Sequence, residues 1–180
     1  FNMLMGIVNV TPDSFSDGAR YFDPAAAVAH ARQLAADGAA ILDLGAEASS
    51  FFRPGVVPVP AEEQLRRLRP VLSGLQGAQA QISVDTRSGV VARASLAAGA
   101  QIINDVSAGL YDPDLLCAAA ELKATVVLMH MAACFPDNPA HDDPDIVNSV
   151  GQKLLARVAA AEAAGVARGK IWLDPGLGFG

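Results

Sequence analysis

Polar side chains recur at the carboxyl ends of apolar stretches along this chain of 180 residues. Most of them are carboxylates or amides, which accept hydrogen bonds. The residues at these ends are Asn9, Asp43 with Glu47, Asp85 with Thr86, Asn104 with Asp105, the apolar Met129 with His130, and Asp174. A carboxylate at the end of an apolar strand is costly to bury without a partner. For Asp85 and Asp174, either a ligand's donors or the backbone N–H groups of a turn could supply that partner.

The first apolar stretch, residues 4–10, leads into an unusually polar loop. Pro12 lacks a backbone donor and ends the strand. The loop then gathers side chains with hydroxyl, carboxylate and aromatic groups, namely Thr11, Asp13, Ser14, Phe15, Ser16 and Asp17. Loops favour Asp and Ser on general grounds, but a connection alone does not require so many acidic and hydrogen-bonding groups. The loop is therefore a candidate for chemistry.

Composition limits the class of protein. An apolar content of 52% with a mean hydropathy of +0.30 allows one domain with a large core. A net charge of −6 and a pI near 4.9 argue against a nucleic-acid or anionic membrane surface. An anionic substrate remains open, because one pocket can be positive inside an acidic protein.

Cysteine usage and segment hydropathy bear on the compartment. Cys117 and Cys134 have neither the number nor the spacing of a disulfide scaffold or a zinc site, so we expect reduced thiols. The sequence has neither an apolar run of about 18 residues nor a signal-like start. We therefore expect a soluble, cytoplasmic protein, and the start at Phe1 and the stop after a glycine-rich turn suggest an excerpt.

Apolar strand candidates alternate with alanine-rich helix candidates throughout the chain. The predicted strands cover residues 4–10, 39–44, 81–85, 101–105, 124–129 and 170–173. The predicted helices begin near Asp23-Pro24, Pro60, Ser88, Asp112-Pro113 and Asp143-Pro144, and Pro70 is expected to bend or shorten the second of them. This pattern predicts a parallel sheet with right-handed crossovers. It fits an eight-stranded barrel or an open doubly wound sheet, and polar groups at successive strand ends favour the barrel, whose strand ends meet at one mouth.

Five motifs, in order along the chain, resemble those of the dihydropteroate synthase family of pterin-binding enzymes. They are MGIVNVTPDSFSDG at 5–18, ISVDT at 82–86, IINDV at 102–106, LMHM at 128–131 and LDPGLGFG at 173–180. The resemblance implies an α/β fold, the TIM (β/α)8 barrel, of which this chain covers about the first six β/α units. Residues 1–180 are then expected to form a single pterin-binding domain that is truncated at its C-terminal end, with two further β/α units beyond Gly180.

The resemblance also implies an activity. In that family, 6-hydroxymethyl-7,8-dihydropterin diphosphate loses diphosphate and 4-aminobenzoate takes its place, giving 7,8-dihydropteroate. By resemblance, Asp85, Asn104 and Asp174 bind the pterin, whose amino and ring N–H groups donate hydrogen bonds. Val106, Met129 and Phe179 are expected to line the ring.

The remaining implied residues handle the diphosphate and the metal. Asn9 matches the residue that the family places near Mg²⁺ and the diphosphate, and Arg53 is a candidate anchor for the diphosphate or a carboxylate. Asp17 is expected to order the first loop over the reacting centre, where Phe15 helps to exclude water. Asp17 and Asp85 are the predicted catalytic residues. The expected partners are these small molecules and, because barrels of this family are often dimeric, a second copy of the chain.

The second loop departs from the family's usual Gly-Gly-Glu-Ser-Thr-Arg-Pro-Gly. This chain has Gly-Ala-Glu-Ala-Ser-Ser-Phe-Phe-Arg-Pro-Gly at 45–55, which is longer by three residues and has Phe52 where the family has threonine. Since this loop helps to shape the aminobenzoate site, we predict altered handling of 4-aminobenzoate or of sulfonamide mimics. Equal sulfonamide affinity before and after trimming the loop would contradict this.

Two other functions fit part of the pattern. A corrinoid-linked methyltetrahydrofolate methyltransferase domain would share a pterin pocket but would not need the loop TPDSFSD at 11–17. A pterin-binding protein whose altered second loop has lost catalysis is the other alternative. His130 is left out of catalysis, because Met129 and Met131 should share one face of the strand and His130 the other. The GLGFG at 176–180 is read as a tight turn rather than a dinucleotide-binding motif.

Overall fold

The computed structural model describes residues 3–11, 23–47, 57–132 and 143–179 of the chain. Strands and helices alternate along it. The strands are β1 (Met5–Asn9), β2 (Ile41–Gly45), β3 (Gln81–Asp85), β4 (Ile102–Asp105), β5 (Thr125–Met129) and β6 (Ile171–Asp174). The helices are α1 (Pro24–Ala36), α2 (Ala61–Gly74), α3 (Gly89–Ala97), α4 (Asp114–Glu121) and α5 (Ile146–Ala163), and a 3₁₀ turn, Arg168–Lys170, precedes β6.

All six strands form one parallel sheet in the order β1-β2-β3-β4-β5-β6. This confirms the predicted β/α repeat. An open doubly wound sheet would reverse its strand order at a switch point, whereas a barrel keeps sequence order. The observed order therefore decides for the barrel arrangement, and the chain supplies its first six β/α units.

The main core lies between the sheet and the helices. It is built from aliphatic side chains such as Leu42, Leu44, Leu68 and Leu115, all fully buried. The opposite face of the sheet carries a smaller cluster of Ile41, Ile102 and Val127, with Trp172 packed against it. This second cluster forms an apolar floor beneath the polar side chains at the strand ends.

Helix boundaries follow local chemistry. Asp23 caps α1 by accepting a hydrogen bond from the Ala25 amide at 2.9 Å, as predicted, and Pro24 occupies the first turn. Pro70 lies within α2, which continues to Gly74. α4 begins at Asp114 with Pro113 at its cap position, one residue later than the Asp-Pro pattern suggests.

Asp112 links the starts of two helices. Its Oδ2 accepts from the Gly89 amide at 2.6 Å, and its Oδ1 accepts from the Asp114 amide at 3.2 Å. The carboxylate therefore satisfies an N-terminal donor of α3 as well as one of α4, where donors lack partners within the helix.

The outer strands are the least covered part of the sheet. Ile7 in β1 is 66% exposed and Leu173 in β6 is 45% exposed. Within the described residues, β1 pairs only with β2 and β6 only with β5. The helices among the described ranges include none that is long and apolar enough to cross a membrane.

Candidate functional site

Polar side chains from neighbouring strands meet in one row at the carboxyl end of the sheet. The strand register places Asn9 beside Gly45, Gly45 beside Asp85, and Asp85 beside Asn104. Side chains of a strand alternate between faces, so paired residues in register share a face. A Cβ added at Gly45 would lie 3.6 Å from Asp85 Oδ2, so the absence of a side chain there leaves room beside this carboxyl group.

Asp85 has an unusual environment for a carboxyl group. It makes no side-chain hydrogen bond with the described residues, so the alternative of a carboxylate satisfied by a turn does not hold here. Burial, and then the negative charges of Asp43, Asp105 and Glu47, raise its pKa from 3.8 to about 8. The group is therefore largely protonated at neutral pH in the free protein, and a ligand that donates hydrogen bonds would favour its ionised form.

Asn104 is held by two contacts. Its Nδ2 donates to Asp43 Oδ2 at 3.0 Å, and its backbone carbonyl accepts from the Thr86 amide at 3.0 Å. Burial raises the pKa of Asp43, and hydrogen bonds from the Ser83 hydroxyl and the Asn104 amide lower it by a smaller amount. Asp43 stood among the strand-end residues of the sequence, but nothing in the sequence marked it as a partner of Asn104.

Asp174 at the end of β6 is partly satisfied by its own turn. Its Oδ1 accepts from the Gly176 amide at 2.7 Å, which is the arrangement that the turn alternative predicted. The Phe179 amide donates to the Gly176 carbonyl at 2.9 Å, so residues 176–179 form the predicted tight turn. Asp174 pairs with Met129 in the strand register, which puts it on the same face as Asp85 and Asn104.

An apolar wall stands beside these polar groups. Val106, Met129 and Met131 form one buried cluster, and Phe179 packs against it. The three predicted ring-lining residues, Val106, Met129 and Phe179, therefore lie together, and the prediction that Met129 and Met131 share a face is confirmed. His130 is 3% exposed, and its backbone amide donates to the Asp174 carbonyl at 2.9 Å, which ties the ends of β5 and β6 together.

Asp105 shows what a strand-end carboxylate becomes when a turn satisfies it completely. Its Oδ1 accepts from the Ser107 amide and hydroxyl at 2.8 and 2.7 Å, and its Oδ2 accepts from the Gly109 amide at 2.6 Å. Burial raises the pKa of Asp105, and these hydrogen bonds lower it by a smaller amount. Asp105 is thus a structural group that shapes the turn after β4.

A buried ion pair beside the site could not be foreseen from the sequence. Arg87 Nε lies 3.2 Å from Glu47 Oε2, with side chains 9% and 11% exposed. The Arg87 guanidinium also stacks 3.9 Å from the centre of the Tyr111 ring. Glu47 Oε1 accepts from the Val59 amide at 2.7 Å, so this pair fixes both described ends of the second loop.

The diphosphate and metal residues are covered only in part. Asn9 is exposed at the end of β1, whereas Phe15, Asp17 and Arg53 lie outside the described residues. The described ranges contain no group of three or more His, Cys, Asp and Glu side chains arranged to hold a metal ion. Mg²⁺ commonly takes one or two protein ligands together with substrate phosphates and water, and the Asn9 amide oxygen fits that mode.

Taken together, these groups suit a flat, polar heterocycle. Acceptors on Asp85, Asn104 and Asp174 face the same side of the sheet, an apolar wall stands next to them, and an apolar floor lies below. Such a combination of convergent polar groups and apolar lining is typical of small-molecule sites. The carboxyl end of a parallel β/α sheet is also where barrels place them.

Comparisons with known proteins agree with this picture. The sequence profile described as "Pterin binding enzyme" matches residues 5–180. The dihydropteroate synthase of Mycobacterium leprae is 43% identical over 178 residues, which cover 98% of this chain and 62% of the relative. The chain thus spans about three-fifths of the length of that relative.

Solved structures give the same result. The Xanthomonas albilineans dihydropteroate synthase with 4-aminobenzoic acid has a TM-score of 0.84 and 48% identity, covering 99% of this chain and 62% of that one. The same enzyme in complex with 7,8-dihydropteroate has a TM-score of 0.79 and 44% identity, with coverage of 98% and 61%.

Proposed function

This chain belongs to the family of pterin binding enzymes, and we propose that it is the larger part of a dihydropteroate synthase. The protein would condense 6-hydroxymethyl-7,8-dihydropterin diphosphate with 4-aminobenzoate to give 7,8-dihydropteroate and diphosphate. Support comes from the Mycobacterium leprae relative and from the Xanthomonas albilineans enzyme, whose structures contain 4-aminobenzoic acid or 7,8-dihydropteroate.

The observation that carries the proposal is the Asp85 carboxyl group beside the Asn104 amide. Both offer side-chain acceptor oxygens that no described residue uses, and both lie on the face of the sheet that carries Met129, which clusters with Val106 and Phe179. A pterin ring carries N–H donors on its edge and flat apolar faces, which match these two features. Asp174 would take a further donor with the oxygen that Gly176 leaves free.

The proposed reaction is a substitution at the pterin methylene carbon. The C–O bond to the diphosphate breaks with its electron pair going to the leaving group. The amine nitrogen of 4-aminobenzoate forms the new C–N bond and loses a proton to water. Positive charge develops on the pterin as the bond breaks. The bound ring N–H groups favour ionisation of Asp85, and the resulting carboxylate would stabilise that charge.

The leaving diphosphate needs positive charge of its own. We propose that Asn9 helps to hold a Mg²⁺ ion, which when bound would neutralise charge on the diphosphate. Arg53 would bind an anionic group of either substrate, and Asp17 and Phe15 would order the first loop and exclude water there. These four roles rest on the family's motifs.

We also propose that residues 1–180 are one pterin-binding domain that two more β/α units complete, acting in the cytoplasm as a homodimer. The exposed side chains of β1 and β6 and the coverage of the relatives support the first part. Light scattering on the complete gene product would test the dimer.

The test is diphosphate release by the complete gene product, with pterin diphosphate and Mg²⁺, in the presence and absence of 4-aminobenzoate. The proposal predicts release that depends on 4-aminobenzoate, together with dihydropteroate as product. Pterin binding without release would instead favour the pterin-binding protein with an altered second loop. Methyl transfer from methyltetrahydrofolate without release would favour the methyltransferase.

A further inference from the structure

The side-chain amide of Asn104, in β4, donates a hydrogen bond to a buried carboxylate in β2, a strand that is not adjacent to β4 in the sheet. Asp43 lies in β2, one row beneath Asp85, and is 5% exposed. Its Oδ2 accepts from Asn104 Nδ2 at 3.0 Å across the intervening strand β3. Asp43 Oδ1 and Ser83 Oγ, both buried, make no hydrogen bond of normal geometry with the described residues. Among the described residues, Asn104 thus gives Asp43 its side-chain hydrogen bond of normal geometry, and the Ser83 hydroxyl is its other polar neighbour.

This contact determines which end of the amide faces the site. Asp43 Oδ2 accepts from the NH₂ group of Asn104, which is the donor end of the amide. Asn104 Oδ1 accepts no hydrogen bond from the described part of the chain. With the NH₂ group held on Asp43, the oxygen is the end left for a ligand. An amide turned the other way would offer a donor and would favour a ligand oxygen.

We propose that Asp43 is a positioning residue, which holds the Asn104 amide with its oxygen toward the ligand and so makes the site prefer a ring amino group to a ring oxygen. This inference rests on the proposed pterin site and adds the origin of its selectivity. Asp43 touches no substrate in this account and acts through Asn104. A ring that presents an oxygen instead of an amino group would leave the buried Asn104 oxygen without a donor, and the site would bind that ring more weakly.

Two pteridines that differ in the group at C2, and with it in the hydrogen on N1, provide the test. Pterin is 2-amino-4-oxopteridine and lumazine is 2,4-dioxopteridine, and calorimetric titration of each into the complete gene product gives an affinity ratio. The wild type should favour pterin. In Asp43→Asn the new side chain can donate to Asn104 Oδ1 and let the amide turn, so the ratio should fall at least tenfold. Removing the Asp43 charge also eases ionisation of Asp85, but that alters the affinity for any ring with a donor, whereas the ratio reports the amide.

An exchange of the two side chains separates positioning from packing. In Asp43→Asn/Asn104→Asp, residue 43 can donate to residue 104, whose second oxygen is again an acceptor, so most of the pterin preference should return. Ser83→Ala is the matched control, because it removes the other polar neighbour of Asp43 but keeps both partners of the Asp43–Asn104 hydrogen bond. It should keep the wild-type ratio, and melting temperatures would confirm that all variants are folded.

Three results would overturn the inference. An unchanged ratio in a folded Asp43→Asn variant would refute it while leaving the proposed function intact. An exchange variant with a ratio as low as that of the single variant would do the same. A wild-type protein that binds neither pteridine would refute the proposed function, and the inference with it.

Discussion

Carboxylates in similar sequence contexts have different surroundings in this protein. Asp105 takes three hydrogen bonds from its own turn, Asp174 takes one, and Asp85 takes none from the described residues. The difference lies in the turn that follows each strand, which either presents N–H groups to the carboxylate or leads the chain away. The least satisfied of the three, Asp85, is the one with most to gain from a ligand.

The protonation of Asp85 predicts how stability changes with pH. The pKa of Asp85 is about 8 in the folded state and 3.8 as its ordinary value. Between about pH 4 and pH 8 the folded protein therefore keeps a proton that the unfolded chain has already released. Stability is therefore lost as pH rises through this window. Asp85→Asn removes the titration, so its melting temperature relative to wild type should rise between pH 5.5 and pH 8, by at least about 1 kcal/mol or 2–4 °C.

The measurement is thermal unfolding of the ligand-free complete gene product at several pH values. Glu62→Gln, which removes an exposed carboxyl group on α2, is the control for changing the net charge by one unit. A difference between Asp85→Asn and wild type that is the same at pH 5.5 and pH 8 would contradict the account.

At the scale of elements, the turn after β6 depends on a glycine that approaches the neighbouring strand end. Gly176 has a φ of +70°, and a Cβ added there would collide with the backbone carbonyl oxygen of His130. Gly178, two residues on, has a φ of +91° and nothing within 4 Å of an added Cβ. Alanine at Gly178 would report the cost of the backbone conformation alone, whereas alanine at Gly176 would add the cost of the contact with His130.

Replacing these glycines should have unequal effects. Gly178→Ala should cost about 1 kcal/mol, since it only forces alanine into the left-handed region. Gly176→Ala must in addition move the turn that carries Asp174 and Phe179, so it should cost several-fold more and weaken pterin binding. Denaturant unfolding and pterin titration would measure both effects. Equal losses in the two variants would show that the close approach to His130 does not matter.

The Glu47–Arg87 pair should also matter more than its surface counterparts. Breaking a buried pair leaves an uncompensated charge, which typically costs about 3–5 kcal/mol, so Arg87→Met should lower the free energy of unfolding by about 3 kcal/mol. Arg66 pairs with Glu63 at the surface, and its side chain is 68% exposed. Arg66→Met breaks this pair and should change the free energy of unfolding little. Adding Glu47→Gln to Arg87→Met should recover part of the loss, and a double variant no more stable than the single one would argue against the ion pair.

The sequence predicts the elements well, because each strand is largely apolar and α1 and α3 start at a side-chain cap that the sequence marks, Asp23 and Ser88. The departures have local causes. β6 begins at Ile171 because Lys170 closes the 3₁₀ turn, and Asp112 bonds to the α3 end as well as to α4. Asp85 and Asn104 could be proposed as neighbours from their places at strand ends. The Asp43–Asn104 contact could not, because it skips strand β3 and depends on how the sheet twists.

At the scale of the whole molecule, β1 presents a side chain that a closed barrel would bury. Ile7 pairs in register with Asp43 on the inner face and is 66% exposed. Exposed apolar strands at a sheet edge promote association. Ile7→Ser should therefore slow aggregation of isolated residues 1–180, yet destabilise the complete gene product by about 2 kcal/mol, because there it would lie in the core.

Val147→Ser provides the comparison, since Val147 lies on α5 and is 83% exposed. It should change neither property much. Light scattering of the isolated chain and thermal unfolding of the complete product would measure the two effects. If Ile7→Ser left the complete product as stable as the wild type, closure of the barrel over β1 would be wrong.

The central claim is that the pterin ring binds at the carboxyl end of this sheet, on Asp85, Asn104 and Asp174. Calorimetric titration of 6-hydroxymethylpterin into the complete gene product, and into its Asp85→Asn and Asp174→Asn variants, tests it most directly. Losing a hydrogen bond to a charged group costs about 1.5–3 kcal/mol, so each variant should bind roughly 10- to 150-fold more weakly. Wild-type affinity in both folded variants would place the ring elsewhere and contradict the account.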